Sequence, residues 1–418
     1  MRAFVLSSLL FFTLNSFAQS DACGFGWEML DSGNQSWYTS AVDHANYPHS
    51  KRESADTIFT VKVIFHLIYP TYTITSKAQF IPNHIRQVQL DFRHLNADTA
   101  SLRSIFKDRV GDARIQFVLA DSTPDGLPSQ GYTFTKSSNY FGVFPGANFK
   151  SWHNMKFDSL GGKNAWDTRR YLNIWVCNNM APDGKYYYGA FATPPKYAPN
   201  WSSTYWADSM IDGVVMGWAS FENWSRGSTL THEIGHYLGL RHVSGDAPAV
   251  SGGDCKLDDF IFDTPKISTA NFNCDKSVNT CDEGQGDLPD MLENYMDYTS
   301  CRNTFTMGQI RLMRYCLSTL RNGLSSMSIT KTPIAETIVP AKIYTSSATH
   351  AIIIEYQDTS SNLFNVQVYN ALGQCLITKD FKQPELSLNT ISWSTGLYTV
   401  LLRDAKGNVI KIEKVLVD

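Results

Sequence analysis

The chain has 418 residues, enough for two or three folded units with a sizeable core. Its 36 basic and 39 acidic residues leave a formal net charge of -3, without any run of five or six like charges. That balance argues against a nucleic-acid partner or a polybasic membrane surface.

Met1-Arg2, the apolar stretch Phe4 to Leu14 and the ending Ser16-Phe17-Ala18 read as a secretory signal peptide over 1–18. The apolar run is shorter than the roughly 20 residues of a spanning helix, and no later segment offers 18 consecutive apolar residues, so no transmembrane segment is expected. Export lets cysteines pair. Cys255, Cys274, Cys281 and Cys301 cluster in one stretch and leave three pairings open, while Cys177, Cys316 and Cys375 are scattered and unassigned.

Residues 19–57 are polar, broken by Gly24, Gly26, Gly33 and Pro48, and read as an irregular pro-segment. Phe59 to Tyr69 runs apolar into Pro70 and predicts a buried strand that opens the first domain, set at 58–325. Ile81, Ile85, Val88, Phe92 and Leu95 step by three and four, which predicts a helix over 81–97 with Pro82 in its first turn. Strands are expected at 115–119, 171–177 and 212–216. A helix over 228–238 ends at Gly239, and 244–290, rich in Asp, Gly and Pro, reads as a long loop. Thr306 caps a last helix over 306–321, with Ile310, Met313, Leu317 and Leu320 on one face. A Ser/Thr/Pro-rich linker spans 326–340, and short β-type runs separated by turns make 341–418 a small β-sandwich.

The most informative string is His232-Glu233-Ile234-Gly235-His236-Tyr237-Leu238-Gly239-Leu240-Arg241-His242. On a helix, His232 and His236 project from one face at a separation one Zn²⁺ can bridge. Gly239 lets the chain bend back, because it carries no Cβ penalty at positive φ, and brings His242 as third ligand. Three imidazoles leave a fourth position open, which suits hydrolytic zinc, with Glu233 as general base. A secreted adhesin with purely structural zinc is the competing class, but structural sites are normally closed by four protein ligands.

These residues resemble the metzincin signature HExxHxxGxxH. Asn294-Tyr295-Met296-Asp297-Tyr298-Thr299 looks like its Met-turn, in the form found in the pappalysin family, the group that includes ulilysin. The resemblance covers about residues 20 to 325, through Cys23-Gly24, VIFHLIY at 63–69, DFRHLNADT at 91–99, LNIWVCN at 172–178 and FTMGQIRLMR at 305–314. It implies an α+β metzincin domain: a mixed twisted sheet with an active-site helix above a loop-rich lower subdomain. It also implies a zinc endopeptidase acting on proteins or peptides, with Met296 beneath the metal and Tyr298 stabilising the oxyanion. Further implications are the bridges Cys255 to Cys281 and Cys274 to Cys301, and Cys23 as a latency thiolate whose alternative is a free or otherwise paired cysteine. Asp254, Asp258, Asp259 and Asp263 fall where relatives bind calcium, with a solvated acidic loop as the alternative. Thr299-Ser300 runs straight into Cys301, without the acidic residue that relatives cutting beside Arg or Lys carry there, which puts a basic preference in doubt.

The last unit resembles a type IX secretion sorting domain, through VQVYNALGQCL at 366–376, WSTGLYTVLL at 393–402 and KIEKVLV at 411–417. The resemblance implies a secretion-machinery partner and an extracellular or cell-surface destination. A carbohydrate-binding or adhesive sandwich is the competing reading.

Overall fold

The computed structural model describes residues 36–46, 57–70, 77–143, 149–186, 188–195, 209–222, 228–245, 255–329, 341–346, 349–356, 363–370, 375–382, 385–403 and 409–417. The signal-peptide residues, Cys23 and Asp254 lie outside them. The chain divides into Met1–Ile329 and Thr330–Asp418.

The first unit runs α1 (Ser36–Asn46), β1 (Thr57–Tyr69), α2 (Ile81–Phe92), β2 (Ile115–Leu119), β3 (Tyr132–Lys136), β4 (Leu172–Cys177), β5 (Ala190–Ala192), β6 (Val214–Gly217), α3 (Trp218–Glu222), α4 (Thr229–Tyr237), α5 (Met307–Ser318) and β7 (Ser325–Ile329). Among the described residues its sheet has seven strands and is built around β1. Val63, Ile64, Phe65 and Leu67 are all fully buried, so β1 is covered on both faces and reads as a continuous apolar run. Along its length β1 pairs parallel with β2, β3 and β4 and antiparallel with β7, and the path continues through β6 to β5, which is antiparallel to β6. The architecture is the expected mixed sheet with helices.

Several boundaries differ from expectation, each for a physical reason. Residues 36–46 are helical, not irregular, because Ala41 and Ala45 lie four apart on one face and are fully buried in the main core. Asn46 then clamps the long loop, donating from Nδ2 to the Phe260 carbonyl at 2.8 Å and accepting at Oδ1 from the Phe262 N–H at 2.8 Å. The second helix stops at Phe92, short of residue 97, because His94 turns left-handed at φ 53° and the Leu95 N–H reaches back to the Leu90 carbonyl at 2.8 Å. Leu95, expected on the core face, is therefore 58% exposed. The expected linker start at 326 is instead part of β7, which finds its hydrogen bonds along β1 between Thr57 and Val61.

The loop-rich half is tied to this sheet by buried polar bonds. Arg103 grips Glu293 with Nε to Oε1 at 2.8 Å and Nη2 to Oε2 at 2.7 Å. Thr306 and Gln309 form a reciprocal cap at the start of α5, and Gln309 also exchanges two amide bonds with Asn294, at 3.0 and 3.1 Å. One helix start thus holds the Met-turn in place.

The second unit contains β8 (Ala341–Ser346), β9 (Ala351–Tyr356), β10 (Phe364–Tyr369), β11 (Cys375–Phe381), β12 (Glu385–Asn389), β13 (Gly396–Arg403) and β14 (Val409–Val417). They form antiparallel sheets ordered β11-β10-β13-β14 and β12-β9-β8. Phe364, Val366 and Val368 alternate inward and share a core with Ile352, Ile354, Val400 and Leu402, as a two-sheet sandwich requires.

Thr306→Ala removes the side-chain half of the α5 cap and should lower stability by about 1 kcal/mol in urea titration. An unchanged midpoint would mean that the cap bears no strain from the Met-turn.

Candidate active site and metal centre

α4 carries His232 and His236 one turn apart, and both are buried. The helix ends as expected: Gly239 adopts φ 100° and the Leu240 N–H closes on the Gly235 carbonyl at 3.0 Å, which swings His242 back. The three ring nitrogens converge, with His236 Nε2 at 3.1 Å from His232 Nε2 and at 3.0 Å from His242 Nε2.

The protonation of two rings follows from their other nitrogens. His232 Nδ1 lies 2.6 Å from the Tyr295 carbonyl and His236 Nδ1 lies 2.8 Å from the Leu240 carbonyl. A carbonyl only accepts, so in the neutral rings each Nδ1 carries the proton and each Nε2 presents a lone pair. Two lone pairs 3.1 Å apart repel unless a cation lies between them. Nitrogens coordinated tetrahedrally at the zinc–nitrogen distance stand about 3.3 Å apart, so the all-imidazole set fits zinc. Burial, then the neighbouring His236 and His242, pushes His232 well below the usual histidine range, which keeps it in the neutral, ligating form. Among the described residues this triad is the one group of three or more such side chains gathered closely enough to hold a metal.

Glu233 follows His232 in the same helix and is 1% exposed. Beneath the helix, Met296 packs so closely that a Cβ on Gly235 would stand 2.5 Å from its sulfur. Tyr298, partly buried, places its hydroxyl 2.9 Å from His242 Nε2. The structure therefore brings Met296 and Tyr298 to the histidines. Both bridges of the long loop are present, Cys255 to Cys281 and Cys274 to Cys301, while Cys177 and Cys316 are buried thiols and Cys375 is exposed.

The remaining acidic residues behave differently. Asp259 Oδ1 accepts from the Ile261 N–H at 3.0 Å and the Thr264 hydroxyl at 2.8 Å, and Asp258 Oδ1 from the Phe260 N–H at 3.2 Å. Asp263 Oδ2 accepts from the Gly308 N–H at 2.7 Å in the first turn of α5. They serve turns and a helix start, and they do not join the histidines.

Sequence reasoning missed the supports behind the site. Asp91, buried on α2, accepts from the Thr231 hydroxyl at 2.6 Å and from Gln87 at 2.7 Å, and also bonds the Tyr295 hydroxyl. It thus holds both the residue before His232 and the residue whose carbonyl orients His232. Asn271 fixes the Met-turn from the loop side, with its N–H 2.9 Å from Asp297 Oδ1 and its Nδ2 3.1 Å from Asp297 Oδ2. Asp91 and Tyr295 do fall inside the resemblance strings at 91–99 and 294–299, but string similarity does not say which atoms meet.

Two imidazoles on one helix turn and a third returning from beyond its end, with a methionine turn below, define a metzincin. Residues 157–318 match the family described as pregnancy-associated plasma protein-A, and residues 342–418 match a secretion system C-terminal sorting domain. The fold is similar to that of promirolysin from Tannerella forsythia, at 33% identity and TM-score 0.56 over 69% of this chain and 89% of that one. It is also similar to mature mirolysin from the same organism in complex with a cleaved peptide, at 32% identity and TM-score 0.52 over 66% of this chain and all of that one. The chain belongs to this pappalysin family, and its C-terminal unit marks it for export. An extracellular metalloprotease of Arthroderma benhamiae is 41% identical over 127 residues, 28% of this chain. The chain spans 41% of the length of that relative and 58% of one from Arthroderma otae.

Desolvation pushes the Asp91 carboxyl up from 3.8 to about 6. The folded state therefore holds this proton more tightly than the unfolded chain, and the associated stability is full below about pH 4 and lost as pH rises through about 6. Asp91→Asn, which cannot ionise, should gain stability relative to the native chain by up to about 3 kcal/mol across that window in denaturation at a series of pH values. A difference independent of pH would rule out the buried carboxyl as the source.

Proposed function

We propose that the chain is a secreted zinc metalloendopeptidase that hydrolyses peptide bonds in proteins and is kept latent by an N-terminal pro-segment. The observation that carries the reading is the approach of the His232 and His236 Nε2 lone pairs to 3.1 Å, beside His242 and on the helix that bears Glu233. His232, His236 and His242 would hold zinc, which when bound supplies a Lewis acid at the substrate carbonyl. Glu233 accepts the proton of the attacking water and passes it to the departing amine. Its burial removes competing solvent and keeps the carboxylate in place. Tyr298 donates its hydroxyl, which lies 2.9 Å from His242 Nε2, to the oxyanion. Asp91 and Tyr295 position His232 and do not touch the substrate.

Mirolysin bound to a cleaved peptide supports peptides as the substrate class, and promirolysin supports a pro-segment. Cys23 is the proposed latch: its thiolate would cover the site until the segment is removed. The sorting-domain match supports a secretion-machinery partner. The calcium expected at Asp258, Asp259 and Asp263 gains no such support, because among the described residues these carboxylates are not gathered closely enough to hold one ion.

Glu233→Ala should keep one zinc per chain by metal analysis while peptide release from an unfolded protein falls about 10²- to 10⁴-fold. His236→Ala should lose both zinc and activity, and chelation should reproduce that loss. Full hydrolysis by Glu233→Ala, or by the chelated protein, would refute the mechanism.

A further inference from the structure

One large aromatic beside the metal centre stays in solvent. Phe272 is 61% exposed, and its ring stacks on Tyr298 with centroids 5.5 Å apart and planes 25° from parallel. Tyr298 in turn lies tilted against His242, with centroids 5.1 Å apart and planes 32° from parallel. Single exposed apolar residues are ordinary on protein surfaces. Phe272 differs in how firmly its backbone is held. The preceding Asn271 makes its two bonds to Asp297 and a third, from Nδ2 to Asp290 Oδ2, at 3.1 Å. Two residues onward, Cys274 is bridged to Cys301 on the far side of the Met-turn. The backbone on both sides of Phe272 is thus anchored, and the ring lies over the Tyr298 phenol.

The charges nearby point the same way. Asp290 and Asp297, the acids bonded to Asn271, are both buried, at 0% and 1% exposure, and the exposed Asp275 turns its carboxylate to the N–H and hydroxyl of Ser277. Asp297 accepts from Asn271 and from the Tyr298 N–H, and Asp290 from Asn271 and Thr280. Neither oxygen pair is presented to a cationic side chain arriving from solvent. An extended peptide whose carbonyl meets the Tyr298 hydroxyl would carry a neighbouring side chain across the exposed Phe272 ring.

We infer that Phe272 is the specificity-determining wall of this site, forming with Tyr298 an apolar face for an uncharged branched or aromatic side chain on one of the two residues flanking the scissile bond. This deepens the peptidase reading and rests on it. Burying such a side chain against an aromatic ring discriminates by tenfold or more between substrates that differ by a few carbons.

The test uses the zinc-loaded secreted protein and fluorogenic peptides that are identical except for Leu, Phe, Gly, Lys or Asp on either side of the cut bond. At one flank, Leu or Phe should exceed Gly and Lys by about tenfold or more in kcat/KM. Phe272→Ala should bring that ratio to within about twofold, and Phe272→Leu should preserve most of it. A native preference for Lys, or an equal loss on every peptide in Phe272→Ala, would overturn the inference, the latter because the ring would then merely support Tyr298. Peptide binding to the Glu233→Ala protein, followed by fluorescence anisotropy, separates the two readings. Side-chain selectivity in binding that Phe272→Ala abolishes upholds the wall even in a chain that cuts nothing. Hydrolysis accompanied by unselective binding overturns the wall and leaves the peptidase standing.

Discussion

Three buried imidazoles drawn toward one point are the constraint that the rest of the first unit serves. Nitrogen lone pairs at 3.1 Å with no proton between them are unfavourable, and no core would collect them without something to gain. What fixes them is mostly backbone. The carbonyls of Tyr295 and Leu240 take the Nδ1 protons of His232 and His236, so ring orientation and protonation are set together. Burial adds to this by keeping His232 neutral, the state a metal ligand requires.

The scaffold can be read outward from that point. The Met-turn has to present the Tyr295 carbonyl upward and the Met296 sulfur against Gly235, and two devices hold it there. From one side, Asn294 locks into the capping residue Gln309 of α5; from the other, Asn271 saturates the Asp297 carboxylate. Asp91 joins α2 to α4 and to Tyr295, so one buried carboxyl reaches from the upper sheet-and-helix layer to the lower loop-rich half. The disulfides act further out, where the long loop has little apolar surface of its own and covalent closure limits its unfolded freedom.

The metal-binding helix was legible because its chemistry is local: residues four apart share a helix face, and the freedom of a residue without Cβ is needed only once, at Gly239. β1 was legible from its apolar run, and the α5 cap from Thr306. Three other short strands were not. β3 is partly exposed along its length, β5 has three residues, and β7 lies in a Ser-rich string that is a strand only because β1 offers it an edge. The α1 helix was hidden for a similar reason: among its described side chains the fully buried ones are two alanines, too small to mark a period. The bond between Asp91 and Thr231 spans 140 residues and leaves no trace in spacing. The place of Phe272 likewise emerges only once the Met-turn and the bridged loop are side by side.

Zinc K-edge X-ray absorption on the secreted protein after removal of its N-terminal segment addresses the central claim most directly. The account predicts one zinc per chain with three imidazole nitrogens at about 2.0–2.1 Å and a light, exchangeable fourth neighbour. A first shell closed by four protein ligands, or a zinc whose histidine scattering survives His236→Ala unchanged, would contradict it.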